Sequence, residues 1–128
     1  MELIDRLQSA FIVSIGAVLG SNIRYIIYQR LCKIKKDFRV LLINCLASFL
    51  VGLFISITSH VSYSKYLYEL GLFFLIGFLG SLSTFSTFIY DLFELYSQSK
   101  FSRALVLFIF SLVLGVISLA LGFLLGTQ

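Results

Sequence analysis

The chain contains no proline and no tryptophan, one histidine and two cysteines. Without proline, no helix is kinked by a ring that removes a backbone donor, so any interruption must come from glycine and hydroxyl residues. Cys32 and Cys45 are too few for a disulfide framework and lack the clustered spacing of a metal site, so both read as packing or lipid-facing thiols. His60 closes an apolar run and reads as an interfacial polar residue. Charge is scarce as well: 12% of the 128 residues are charged and 59% are apolar, against about 25% charged in soluble domains. A soluble domain of this size would expose much of that apolar surface, a conflict that lipid removes. No nucleophile–base pair, metal cluster or buried acid couple stands out, which speaks against an enzyme. Glu2 and Asp5 stand where the basic region of a cleavable signal would be.

The charges that are present are segregated. Residues 7–23, 40–59, 70–90 and 104–128 carry none. Each run approaches or exceeds the roughly 18 apolar residues of a spanning helix. The pattern predicts an all-α membrane protein in one domain, residues 1–128, with four transmembrane helices near 8–30, 40–60, 68–97 and 103–127. The first connection holds Lys33, Lys35, Lys36, Asp37 and Arg39. Ser62, Tyr63, Ser64, Lys65 and Tyr66 form the second, and Gln98, Lys100 and Arg103 the third. The net charge of +4 therefore lies in short loops and makes no nucleic-acid surface. Connections this short predict sequential helices packed as antiparallel neighbours.

The third run is the unusual one. At about 30 residues it exceeds the roughly 20 that a bilayer needs. Its middle holds Gly77, Gly80, Ser81, Ser83, Thr84, Ser86 and Thr87. Glycine costs about 1 kcal/mol in a helix interior, and hydroxyls offer the backbone alternative hydrogen bonds. The third helix is therefore predicted to break near its middle. Non-helical backbone at membrane depth is tolerated only where it is buried or lines a cavity, so the break marks an ion or substrate site.

Several residues could serve such a site. Arg24 interrupts the first run ahead of Tyr25 and Tyr28. It reads either as a functional intramembrane cation or as an arginine snorkelling from the helix end. In both cases it raises the local anion concentration at a pore mouth. Asn44 and Ser48 can share a face. Asn44 is either helix glue, typically worth about 0.6 kcal/mol, or a donor amide on an anion path. Phe85 and Phe88 share a face at i, i+3, and Ser83 and Thr87 share another at i, i+4. Among 14 phenylalanines packing is the ordinary reading. Interleaving with hydroxyls beside a break favours rings whose positive edges solvate an anion. Ser111, Gly115 and Ser118 form a small-residue stripe, either a packing face or a pore lining.

These stretches together resemble the Fluc/CrcB family of fluoride channels. Residues 77–88 resemble the pattern G-F-x-G-G-x-T-T-F-S-T-F, and Thr84-Phe85-Ser86-Thr87-Phe88 matches it without change. Residues 16–25 resemble G-G-x-x-G-x-x-x-R-Y, residues 44–52 N-x-x-G-S-F-x-x-G, and residues 111–115 S-x-x-x-G. The third-helix motif is specific, and the four together span essentially the whole chain. The resemblance implies an antiparallel dimer with two narrow fluoride pores and a central structural Na⁺. Position by position, backbone carbonyls of Gly80 and Ser83 would hold the Na⁺. Phe85 and Phe88 would be the pore phenylalanines, supplied by different subunits. Asn44, Ser83, Thr84 and Ser111 would line the fluoride path, with Arg24 at its vestibule. Ser81, Ser83, Ala17 and Ala47 depart from the pattern. Leu107 stands where the family often has a tyrosine, which removes one pore donor.

The resemblance further implies passive fluoride export and fluoride resistance in the cell membrane of a bacterium. A small multidrug transporter would need an intramembrane carboxylate for proton coupling, and none lies between Asp5 and Asp37 or at the centre of a later run. A non-transporting scaffold would leave the glycine–hydroxyl stretch unexplained. Arg30, Lys33, Lys35, Lys36, Arg39, Lys100 and Arg103 lie on one side, and only Arg6 and Lys65 on the other. The basic side stays cytoplasmic, which places both termini outside. Such a bias argues against dual insertion and for a homologous second subunit of opposite bias.

Overall fold

A computed structural model of the chain describes residues 2–62 and 64–127. Tyr63, expected in the second connection, lies outside the described residues. The order is α1 (Glu2–Arg30), α2 (Lys36–Ser59), α3 (Lys65–Gly71), a π-helical stretch (Leu72–Leu79), α4 (Gly80–Leu82), α5 (Phe85–Ser97) and α6 (Phe101–Gly126). Four segments are long and apolar enough to cross a membrane: α1, α2, the joined segment Lys65–Ser97, and α6. The helices start earlier than the charge pattern implies, α1 at Glu2 and α2 at Lys36. Glu2 and Asp5 fall in the first turn of α1 and Asp37 in that of α2, where the positive end of the helix dipole favours carboxylates.

Sequential helices are not the principal neighbours, contrary to the expectation from short connections. The main packing joins α1 to the third span and α2 to α6, while α1 and α2 touch little. Both main pairs run parallel. Along the first, Gln8 bonds Glu69 and Gly20 meets Phe78 and Ser81. Along the second, Asp37 pairs with Arg103 and Gly122 meets Phe49. Close backbone approach explains this choice of partner. A Cβ on Gly122 would fall inside contact with the Phe49 carbonyl oxygen, and one on Gly52 inside that of Leu119. A Cβ on Gly16 or Gly20 would likewise meet carbonyls of Phe73 or Phe78. In lipid, where apolar area gives helices little reason to associate, such small-residue contacts decide who packs with whom. The pairs meet through buried Ile43 and Ala47 of α2 against Leu79 and Leu82. Phe54, Phe74 and Phe78 stack beside that core, with centroids 5.1 and 5.4 Å apart.

The π-helical stretch has no counterpart in the hydropathy pattern. Such turns are rare and concentrate at functional sites. It immediately precedes a bend: Ser83 (φ −69°, ψ 153°) and Thr84 (φ −139°, ψ 110°) have extended dihedrals. After α5 the chain turns through Ser99 at φ 57°. There Lys100 N–H reaches Leu95 C=O and Ser99 N–H reaches Tyr96 C=O, at 3.0 and 2.9 Å, the paired bonds of a Schellman turn.

Two glycine substitutions separate contact from propensity. Gly122→Ala forces α6 off α2 and is expected to destabilise the folded protein by about 1–3 kcal/mol, as overpacking does. A Cβ on Gly71 meets nothing within 4 Å, so Gly71→Ala is expected to be neutral or to add up to about 1 kcal/mol. Unfolding in detergent measures both, and equal effects would contradict the packing scheme.

Candidate ion pathway

The bend organises the polar groups of the membrane interior. Thr84 is buried, and its N–H donates to Asn44 Oδ1 at 3.0 Å. Because a backbone N–H needs an oxygen, this bond fixes the orientation of the Asn44 amide and turns its NH₂ away from Thr84. The Thr84 hydroxyl caps α5 by accepting from Thr87 N–H at 3.3 Å, and bonds the Thr87 hydroxyl at 2.9 Å.

Diverting the Thr84 N–H to Asn44 deprives the Gly80 carbonyl of its helical partner. That oxygen accepts only a long contact from the Ser83 hydroxyl, 3.4 Å. The Ser83 carbonyl loses its partner in the same way, because Thr87 N–H goes to the Thr84 side chain. Gly80 is exposed and Ser83 half-buried. Two carbonyls freed from helical bonds are hard oxygen donors, suited to a hard monovalent cation. Among the described residues no group of three or more His, Cys, Asp or Glu could hold a metal ion.

A cavity of about 320 Å³ opens beside the bend, lined by Ser21, Arg24, Tyr25, Tyr28, Val40, Ile43, Thr84 and Thr87. The structure thus brings Arg24 to Thr84 and, through the hydrogen bond, to Asn44. Ser111 lies outside this cavity. Its hydroxyl is buried without a partner, an uncommon state for a polar group. The two phenylalanines diverge more than their spacing implies. Phe85 is 77% exposed, whereas Phe88 turns inward and stacks on Phe108 at 6.4 Å and 22°. A stacked ring has its face occupied and keeps its positive edge for other contacts.

One cluster escaped the sequence reading. Asp91 is 2% exposed although it lies within two turns of the C-terminal end of the third span. Lys36 Nζ stands 3.2 Å from Asp91 Oδ1 and 3.0 Å from Glu94 Oε2, and 4.5 Å from the Tyr90 ring centroid. Lys36 is thereby drawn into an ion network in which Asp91 is buried while Lys36 and Glu94 still reach the surface. Asp91 follows Phe88 at i+3, the one signal that could have placed it on an inward face.

Residues 11–123 match the family described as "CrcB-like protein, Camphor Resistance (CrcB)". The chain is also 50% identical over 118 residues to a protein of Prochlorococcus marinus (strain NATL2A) named "Fluoride-specific ion channel FluC 2". That alignment covers 91% of this chain and 95% of the relative. With the family match reaching across all four spanning segments and half of the aligned residues shared with a full-length relative, the chain belongs to the CrcB family.

Proposed function

We propose that the chain is one subunit of a passive, fluoride-selective channel through which cytoplasmic fluoride leaves a bacterial cell. The observation that carries this reading is the bend at Ser83–Thr84, where neutral donors gather beside a cavity walled by Arg24. Its support from outside the chain is a relative named as a fluoride-specific ion channel. Fluoride is small and strongly hydrated, and burying a bare anion would cost tens of kcal/mol. The path must therefore replace water with donors that hold the ion without trapping it. The Asn44 amide and the unpartnered Ser111 hydroxyl are donors of that kind, and the Thr84 and Ser83 hydroxyls join them on releasing Thr87 and Gly80. Phe85 and Phe88 add ring edges, and Arg24 concentrates anions at the vestibule.

The freed carbonyls of Gly80 and Ser83 would hold a structural Na⁺. When bound, the ion supplies a positive charge that offsets nearby negative potential. One chain offers two such oxygens at an exposed site, which fits a second chain completing the shell. The exposed Phe85 fits the same arrangement, an antiparallel dimer in which each pore draws on both subunits. In liposomes, with a homologous partner where one is required, the protein is expected to pass fluoride and exclude chloride. Equal permeability to both would sink the selectivity. Ser83→Ala is expected to leave Na⁺ dependence intact, since the carbonyl does the coordinating.

The basic end of the bundle carries Arg30, Lys33, Lys35, Lys36, Arg39, Lys100 and Arg103. Facing it to the cytoplasm puts both termini outside and calls for an opposite-facing homologous partner. Cysteine accessibility at each end of this chain expressed alone is expected to show one orientation and no fluoride resistance. Termini on both sides with full resistance would establish a homodimer.

A further inference from the structure

Among the described residues no carboxylate answers the charge of Arg39. This arginine lies in the first turns of α2, and its guanidinium sits over the Tyr28 ring, Cζ 4.5 Å from the centroid. Its Nε is buried and has no hydrogen-bond partner. The acids at this end are taken: Asp91 and Glu94 by Lys36, and Asp37 by Arg103 at 3.9 Å. Tyr28 and Val40, the residues next to Arg39 in space and in sequence, both line the cavity that Arg24 shares with Thr84 and Thr87. Arg24 and Tyr28 are one turn apart on the same face of α1.

We propose that Arg39 is a second cationic residue of the anion vestibule, charging its wall from behind Tyr28 in concert with Arg24. Arg39 does not line the cavity and acts through its field. Low-dielectric walls focus that field and raise the local concentration of anions. Holding the guanidinium against an aromatic face keeps the charge close to the path without offering it as a ligand that would trap the ion. The inference rests on the channel reading above. Its rival is purely mechanical: Arg39 and Tyr28 staple α1 to α2, which otherwise touch little.

Ionic strength separates the two roles, because salt screens a field and leaves a staple in place. The Debye length falls from about 30 Å at 0.01 M to about 3 Å at 1 M. Fluoride efflux from liposomes, in an impermeant salt at those two strengths, is the measurement. R39Q is expected to lower efflux about two- to fivefold at low salt, the size of one charge acting at this range. The deficit closes at high salt, and chloride exclusion is unchanged. R39K keeps most of the wild-type rate at both. R39M, whose unbranched stem still packs on Tyr28, reproduces the salt-dependent deficit should R39Q fail to fold. No deficit, or one of equal size at both salt concentrations, overturns the proposal. A wild-type protein that passes no fluoride refutes the channel reading itself, a different result from unchanged efflux in R39Q beside an active wild type.

Discussion

A backbone N–H at membrane depth must find an acceptor, because leaving it bare costs several kcal/mol. At Thr84 that acceptor is the Asn44 side chain and not the Gly80 carbonyl four residues back. The third span can then leave helical geometry for two residues, with the lost bond replaced. The same exchange frees carbonyls at Gly80 and Ser83, and α5 begins afresh with Thr84 as its cap. One side-chain bond thus creates donors and acceptors together at the place where an ion would have to pass.

Packing keeps that bond in register. Asn44 lies on α2 one residue beyond Ile43, whose buried side chain packs in the core with Leu79 and Leu82 of the third span. α2 is itself held against α6 by contacts that tolerate no Cβ at Gly52 or Gly122. On the other side α1 is seated on the third span at Gly16 and Gly20, which sets Arg24 opposite Thr84 and Thr87. At the basic end, Lys36 ties α2 to α5 through Asp91 and Glu94. A buried carboxylate left without that lysine would carry an uncompensated charge, so the network anchors α2 to the helix that follows the bend.

Much of this was legible in the sequence because membrane physics is coarse. Charge-free runs and a bilayer's thickness fix the spanning segments, and glycine with hydroxyls in the third run locates the bend. The helices extend N-terminally beyond the charge-free runs because a carboxylate in a first turn, as at Asp37, looks the same in sequence as one in a loop. Partner choice was misjudged because loop length constrains direction, whereas the contacts at Gly52 and Gly122 depend on which faces meet. The π-helical stretch left no trace in hydropathy, since it changes the hydrogen-bond register and not the composition. Asp91 and Arg39 sit at the ends of runs, where a charged residue ordinarily reaches water. Only the three-dimensional arrangement shows one buried against Lys36 and the other stacked on Tyr28.

The central claim is that the Asn44–Thr84 bond makes the conducting geometry, and Asn44→Leu addresses it most directly. Leucine keeps the bulk of the side chain and favours the helix, but it offers Thr84 no acceptor. Fluoride efflux should fall to the level of empty liposomes while circular dichroism shows the overall helix content retained. Wild-type efflux with chloride still excluded in Asn44→Leu would contradict the account.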